Sequence, residues 1–331
     1  ELKATDICWL KLAIDSNMKA LIRQLIDFQK ANFHPGLYLS LLLFIGVSVG
    51  FNFSLDFYDD YVIKGHSPAL RWLLVAAFNL FPFVVAALLV YHFKGEKAWV
   101  KDTGFWLRAV LVFAVSGLSQ YWKPFDGLVA GLNGNEYYFA SYTFRKADSL
   151  VNVLLPVVIL YLLFERDKYK SFYGLRSTHW DWKPYALMFM GMVVVIGLAS
   201  FFQDLQAYYP RYMRTKGPEL ATELGISQWW PLLIYEIAYG SDFVSVELFY
   251  RGVLVLAFYR YFGNYAVLVM VPSYVFLHFG KPMTEAISSA IGGYVLGIIS
   301  LNSRNIWGGV VLHVGVAWLM EFYGWLQLVF K

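Results

Sequence analysis

The sequence predicts an all-α, polytopic membrane protein, and three observations carry that prediction. The 331 residues are 59% hydrophobic and 19% aromatic, with only 15% charged, against about 25% charged in an ordinary soluble domain. Mean hydropathy is +0.51, and several apolar runs approach the roughly 20 residues that span a bilayer. Tryptophan and tyrosine cluster near the ends of these runs, as in Tyr121-Trp122 and Trp229-Trp230, where interfacial belts place them. The expected partner is therefore the lipid bilayer. A net charge of +4, spread over loops, argues against nucleic acid. The single cysteine, Cys8, excludes an internal disulfide and a cysteine-based metal cluster.

Taken in order, residues 7–30 read as an amphipathic helix. Ile7, Leu10, Ile14, Met18, Leu21, Leu25 and Phe28 recur at steps of three and four, with Lys11, Lys19, Arg23 and Lys30 mostly off that stripe. Two readings stand: a helix on an anionic leaflet or docking a partner protein, or one packed on the protein's own cytoplasmic face. His34-Pro35-Gly36 ends it, giving a first unit over 1–36. The expected spanning segments are 37–55, 69–92, 104–122, 149–165, 183–203, 228–260, 264–279, 285–301 and 306–329. The long apolar region 228–260 counts as one helix or, broken at Gly240-Ser241, as two. The expected total is eight or nine transmembrane helices. Thirteen Lys and Arg lie in the N-terminal segment and the 94–103 and 165–184 loops, against eight in the alternate loops. The positive-inside rule then puts the N-terminus in the cytoplasm. Helices over 37–182 carry no recognisable chemistry, and 183–331 carries all of it.

That chemistry centres on Ser245-Val246-Glu247-Leu248-Phe249-Tyr250-Arg251-Gly252. A charge in hydrocarbon costs several kcal/mol unless it is paired or faces a wet cavity. Glu247 and Arg251 share a helix face at i,i+4, so each can neutralise the other. A buried structural ion pair is the bland account of this stretch. Two more ionisable residues follow in apolar surroundings. His278 shares a face with Tyr274 in Tyr274-Val275-Phe276-Leu277-His278, and His313 follows Gly308-Gly309-Val310-Val311-Leu312. A lone histidine in an apolar helix is often a hydrogen-bonded core residue, but three such positions in neighbouring spans point towards function. A carboxylate and a histidine sharing one water can deprotonate it for attack on a peptide carbonyl. A second histidine can donate to the developing oxyanion. No cofactor is expected; zinc held by Glu247, His278 and His313 is a minor alternative. No His-Glu-x-x-His motif is present.

Together these residues resemble the CPBP family, the CAAX proteases and bacteriocin-processing enzymes, which includes the type II CAAX prenyl endopeptidases. Its pattern is Glu-Glu-x-x-x-Arg, Phe-x-x-x-His and His-x-x-x-Asn/Asp on separate helices. Here the matches are Val246-Glu247-x-x-x-Arg251, Tyr274-x-x-x-His278 and His313-x-x-x-Ala317, within residues 183–325. The resemblance implies an intramembrane glutamic endopeptidase acting on a membrane-associated peptide or protein, in a bacterial inner membrane. Glu247 would be the main carboxylate, held by Arg251. His278 would position the water and His313 would stabilise the oxyanion. Two departures stand out. Val246 occupies the place of the family's water-activating Glu, and Ala317 that of its Asn/Asp. Three carboxylates can fill the first gap, in the order Asp242, Glu285, Glu321. Asp242 is four residues before Val246, about 40° from its direction. Glu285 follows Pro282, and Glu321 lies eight residues after His313. The alternative is a non-catalytic relative of the same fold, a membrane scaffold or immunity-like partner. A transporter is a weaker third reading, because no paired broken helices recur in two halves.

Overall fold

The computed structural model describes residues 19–95, 97, 99–166, 171–176 and 182–330. Every regular element among them is a helix. The main ones are α1 (Pro35–Leu55), α2 (Pro68–Lys94), α3 (Thr103–Gly117), α4 (Gly134–Ser149), α5 (Leu155–Leu160), α6 (Lys183–Ala199), α7 (Trp229–Glu247), α8 (Ala266–Phe276), α9 (Met283–Ser303) and α10 (Trp307–Val329). Local sequence sets several of these boundaries. The His34 and Ser67 side chains accept the amides of Leu37 and Leu70, with proline as the first helical residue of α1 and α2, where a missing N–H costs nothing. Gly95 ends α2 in the left-handed region at φ 72°, as a C-terminal glycine does.

Among the described residues, six helical stretches are long and apolar enough to cross a membrane. The pair Lys183–Ala199 and Gln203–Glu223, bent by 91°, makes a seventh if it counts as one span. Two features set these stretches apart from the expected segments. α3 has 15 residues, about 23 Å at 1.5 Å per residue, short of a 30 Å hydrocarbon core. The expected spans 228–260 and 264–279 fall within the single stretch Trp229–Phe276. Gly240-Ser241 does not break it, because α7 runs through both. The interruption lies at Phe258–Tyr265 instead, where Gly263 takes φ 53° and ψ −135°, a conformation open to glycine. Beyond it, α8 folds back against Leu248–Ala257, which extends α7 with π-type winding. This return brings Tyr274 to Tyr250, their ring centroids 5.0 Å apart.

The core lies where these two strokes meet α2 and α3. Phe83, Phe105, Phe113, Phe258 and Phe262 are buried together there with Leu248, Leu254 and Met270. α2 and α3 therefore supply the wall behind the helices that carry the polar residues. Trp229, Trp230, Tyr121 and Trp122 are all exposed, consistent with interfacial positions. Of the amphipathic N-terminal segment, 19–32 falls within the described residues and is helical. Leu21 is buried with Tyr185, Leu296, Ile299 and Leu312. Phe28 packs edge-on against Tyr294, whose hydroxyl donates to Gln29. This part of the helix thus docks on the protein itself, while residues 7–18 lie outside the described residues.

Candidate active site

Glu247 and Arg251 sit where α7 passes into its π-wound continuation, and neither has any exposure. Arg251 NH1 lies 2.9 Å from Glu247 Oε1. The guanidinium carbon stands 4.2 Å from the centre of the Tyr274 ring, a desolvated cation–π contact worth about 2 kcal/mol. The same Glu247 oxygen is 3.0 Å from His313 Nδ1. A carboxylate accepts, so Nδ1 carries the hydrogen and donates. The other oxygen, Oε2, has no hydrogen-bond partner and presses on the backbone of Gly309, where an added Cβ would stand 2.4 Å away. Glycine at 309 is therefore what lets α10 close on the carboxylate. Oε1 is thus shared by Arg251 and His313, while Oε2 is buried against α10 without a hydrogen-bond partner. Gly309→Ala is expected to destabilise the protein. Overpacking of this kind costs about 1–3 kcal/mol, more than the ~1 kcal/mol alanine gains in a helix interior. Thermal unfolding in detergent measures it, and an unchanged or raised Tm would contradict the contact.

His278 lies just past the end of α8, in the turn that Pro282 closes before α9 begins. Only 3% of it is exposed. Its Nδ1 is 2.7 Å from the Tyr274 carbonyl. A carbonyl can only accept, so Nδ1 holds the proton and Nε2 presents a lone pair. Burial, then the Lys281 charge, push His278 down to about 3, so the ring is neutral at physiological pH. Nε2 faces Glu285 Oε1 at 3.9 Å. That separation is too long for a hydrogen bond but within the span of one bridging water. Among the described residues, no other carboxylate makes an ion-pair contact with His278.

Glu285 is on the first turn of α9 and is 9% exposed. Lys281 Nζ donates to its Oε1 at 2.5 Å, and the Tyr209 hydroxyl donates to its Oε2 at 3.0 Å. Burial lowers the Lys281 ammonium, but the Glu285 carboxylate more than reverses this and holds it above its ordinary value. Tyr209 arrives from the bend after α6. There Asp204 accepts the Thr284 amide at 3.1 Å and its hydroxyl at 2.6 Å, which caps α9. Glu321 accepts the amides of Arg211 at 2.7 Å and Tyr212 at 3.0 Å, fixing the other end of that segment to α10. Asp242 is half-buried on α7, and its charge acts on Lys146 and Asp148 of α4.

The five residues singled out by sequence are therefore distributed as follows. Glu247, Arg251 and His313 form one contact group, and Tyr274 bridges it to His278. Its hydroxyl is 3.5 Å from His313 Nε2, and its ring lies 4.7 Å from that of His278. Asp242 lies towards α4. Glu247, His278 and His313 do not converge on one point, and no group of three metal-ligating side chains is present among the described residues. Val246 packs against the main apolar core, and Ala317 is buried among Tyr212, Tyr235, Tyr239 and Phe243. Sequence reasoning missed Lys281 and Tyr209. The only signal for Lys281 was its i,i+4 spacing from Glu285 across Pro282, and nothing local pointed to Tyr209.

Residues 228–319 match the family model described as type II CAAX prenyl endopeptidase Rce1-like. No curated protein and no solved structure matches the chain. The matched stretch contains all three motifs, from Glu247 to His313. Over residues 228–319, this integral-membrane chain is therefore similar to the CAAX prenyl endopeptidases.

Proposed function

We propose that the protein is an intramembrane endopeptidase that hydrolyses a membrane-associated peptide or protein with a water held between Glu285 and His278. The observation that carries this reading is the 3.9 Å approach of Glu285 Oε1 to His278 Nε2. Both atoms are acceptors, so a water between them can donate one hydrogen to each. Deprotonation by the carboxylate–imidazole pair then supplies the nucleophile. Glu247 is sealed by Arg251, His313 and Gly309. It serves as the anchor that orients His313, and Arg251 holds it in turn. Asp242 takes no part in holding the water; its charge acts on Lys146 and Asp148 of α4. On this reading the carboxylate missing at Val246 is supplied from α9.

The test is a cleavage assay on membrane-associated peptides in liposomes with the full chain. Glu285→Gln keeps the shape and the Tyr209 contact but removes the base. Cleavage is expected to fall by about 10²–10⁴-fold. Full activity in Glu285→Gln would reject Glu285 as the base. Absence of cleavage by the wild type across the panel would favour the non-catalytic scaffold, to which Val246 and Ala317 point.

A further inference from the structure

His313 cannot, as a neutral ring, donate from the nitrogen that faces the site. Its one hydrogen is on Nδ1, given to Glu247 at 3.0 Å, so Nε2 carries a lone pair. The group facing that lone pair is the Tyr274 hydroxyl, 3.5 Å away. His278 is in the same position: its hydrogen goes to the Tyr274 carbonyl, and Nε2 is an acceptor. Between the two imidazoles, then, there are two acceptors and one O–H. Tyr274 is buried, and its ring contacts both histidines, Tyr250 and the Arg251 guanidinium. A residue serving only as packing between these groups would need no hydroxyl.

We infer that Tyr274 is the oxyanion donor of this peptidase, an assignment that rests on the hydrolytic reading above. At 3.5 Å its bond to His313 is at the outer limit of hydrogen bonding and is given up at little cost. An oxyanion is a far stronger acceptor than a neutral imidazole. In the attack step the water oxygen bonds to the peptide carbonyl carbon, and a water proton passes to the Glu285–His278 pair. The carbonyl π electrons move to oxygen, which accepts the Tyr274 O–H. The guanidinium over the ring favours the polarisation of the O–H as it donates. In the collapse step the C–N bond breaks, and the proton taken from water passes to the amine nitrogen. The products are a carboxylic acid and an amine, and Tyr274 keeps its proton throughout. The stretch Glu247–His313–Tyr274 then acts as one unit: the carboxylate fixes the imidazole, and the imidazole fixes the hydroxyl.

The test is Tyr274→Phe in the full chain, which removes one oxygen atom from a buried ring. It is run beside His278→Ala in the same liposome assay. The expected result is a kcat lower by about 10²–10³-fold, the usual effect of losing one oxyanion donor. KM should stay within about twofold, because the hydroxyl is engaged only once charge develops. A peptide aldehyde, which forms a tetrahedral hydrate, should bind Tyr274→Phe correspondingly more weakly, while an uncleaved substrate peptide binds equally well. A thermal melt close to that of the wild type separates this from misfolding. Full kcat in Tyr274→Phe with His278→Ala inactive overturns the tyrosine assignment alone. Equal loss of substrate-peptide and aldehyde binding also overturns it, by showing a packing role. Wild-type activity in His278→Ala, or no cleavage by the wild type, overturns both this assignment and the reading beneath it.

Discussion

Arg251→Ala is expected to destabilise the protein by about 3–5 kcal/mol, because removing one partner of a buried ion pair leaves the other charge uncompensated. Neither residue has any exposed side-chain surface, so water cannot enter to solvate Glu247 without opening the packing of α7 on α10. The loss includes the cation–π contact with Tyr274. The cost belongs to the orphaned carboxylate rather than to the bridge itself. The double variant Glu247→Leu/Arg251→Met should therefore recover most of the stability while remaining inactive, since His313 loses its anchor. Thermal unfolding in detergent distinguishes the cases. If the double variant were as unstable as Arg251→Ala, the destabilisation would come from lost packing, and the charge argument would fail.

His278→Ala is expected to lower cleavage by about 10²–10⁴-fold, the range for a positioned general base, with a much smaller change in thermal stability. Two features support so large an effect. The ring's lone pair at Nε2 is fixed by the Nδ1 bond to the Tyr274 carbonyl, so its orientation does not depend on substrate. Its neutral state is fixed by burial and by the charge of Lys281. Protonation of this imidazole therefore does not set the acid limb of the pH–rate profile near pH 6.5, where an ordinary histidine titrates. An acid limb at that pH that His278→Ala abolished in its residual activity would contradict this assignment of its state.

The sequence was legible where the physics is local. A charge pair at i,i+4 in an apolar run announced itself, and so did the polytopic all-α class and the order of Glu247, His278 and His313. The link between Glu247 and His313 was not legible, because 66 residues separate them and no period or spacing encodes which helix faces which. Glu285 was named but ranked second to Asp242. A proline lies between Glu285 and His278, and the direction of a chain leaving a proline turn cannot be read from helical phase. Asp242 has the better helical phase, and its charge acts on Lys146 of α4, but phase alone does not say which helix a face meets. Of the two readings of 228–260, α7 takes the unbroken one at Gly240-Ser241, since glycine marks a break only where the backbone needs it. Here Gly240 packs on Val314 and Trp318 of α10, whereas Gly263 makes the turn.

The placing of Arg251 on the same helix as Glu247 bears on how such a chain is made. Membrane helices leave the ribosome in order, and α7 emerges before α10 exists. A glutamate that relied on His313 for neutralisation would face lipid as a bare charge until the last span arrived. With its counter-ion one turn away, the segment carries its own neutraliser through insertion. The contact with His313 can then form late, during helix docking, without any stage at which an unpaired carboxylate crosses the bilayer interior.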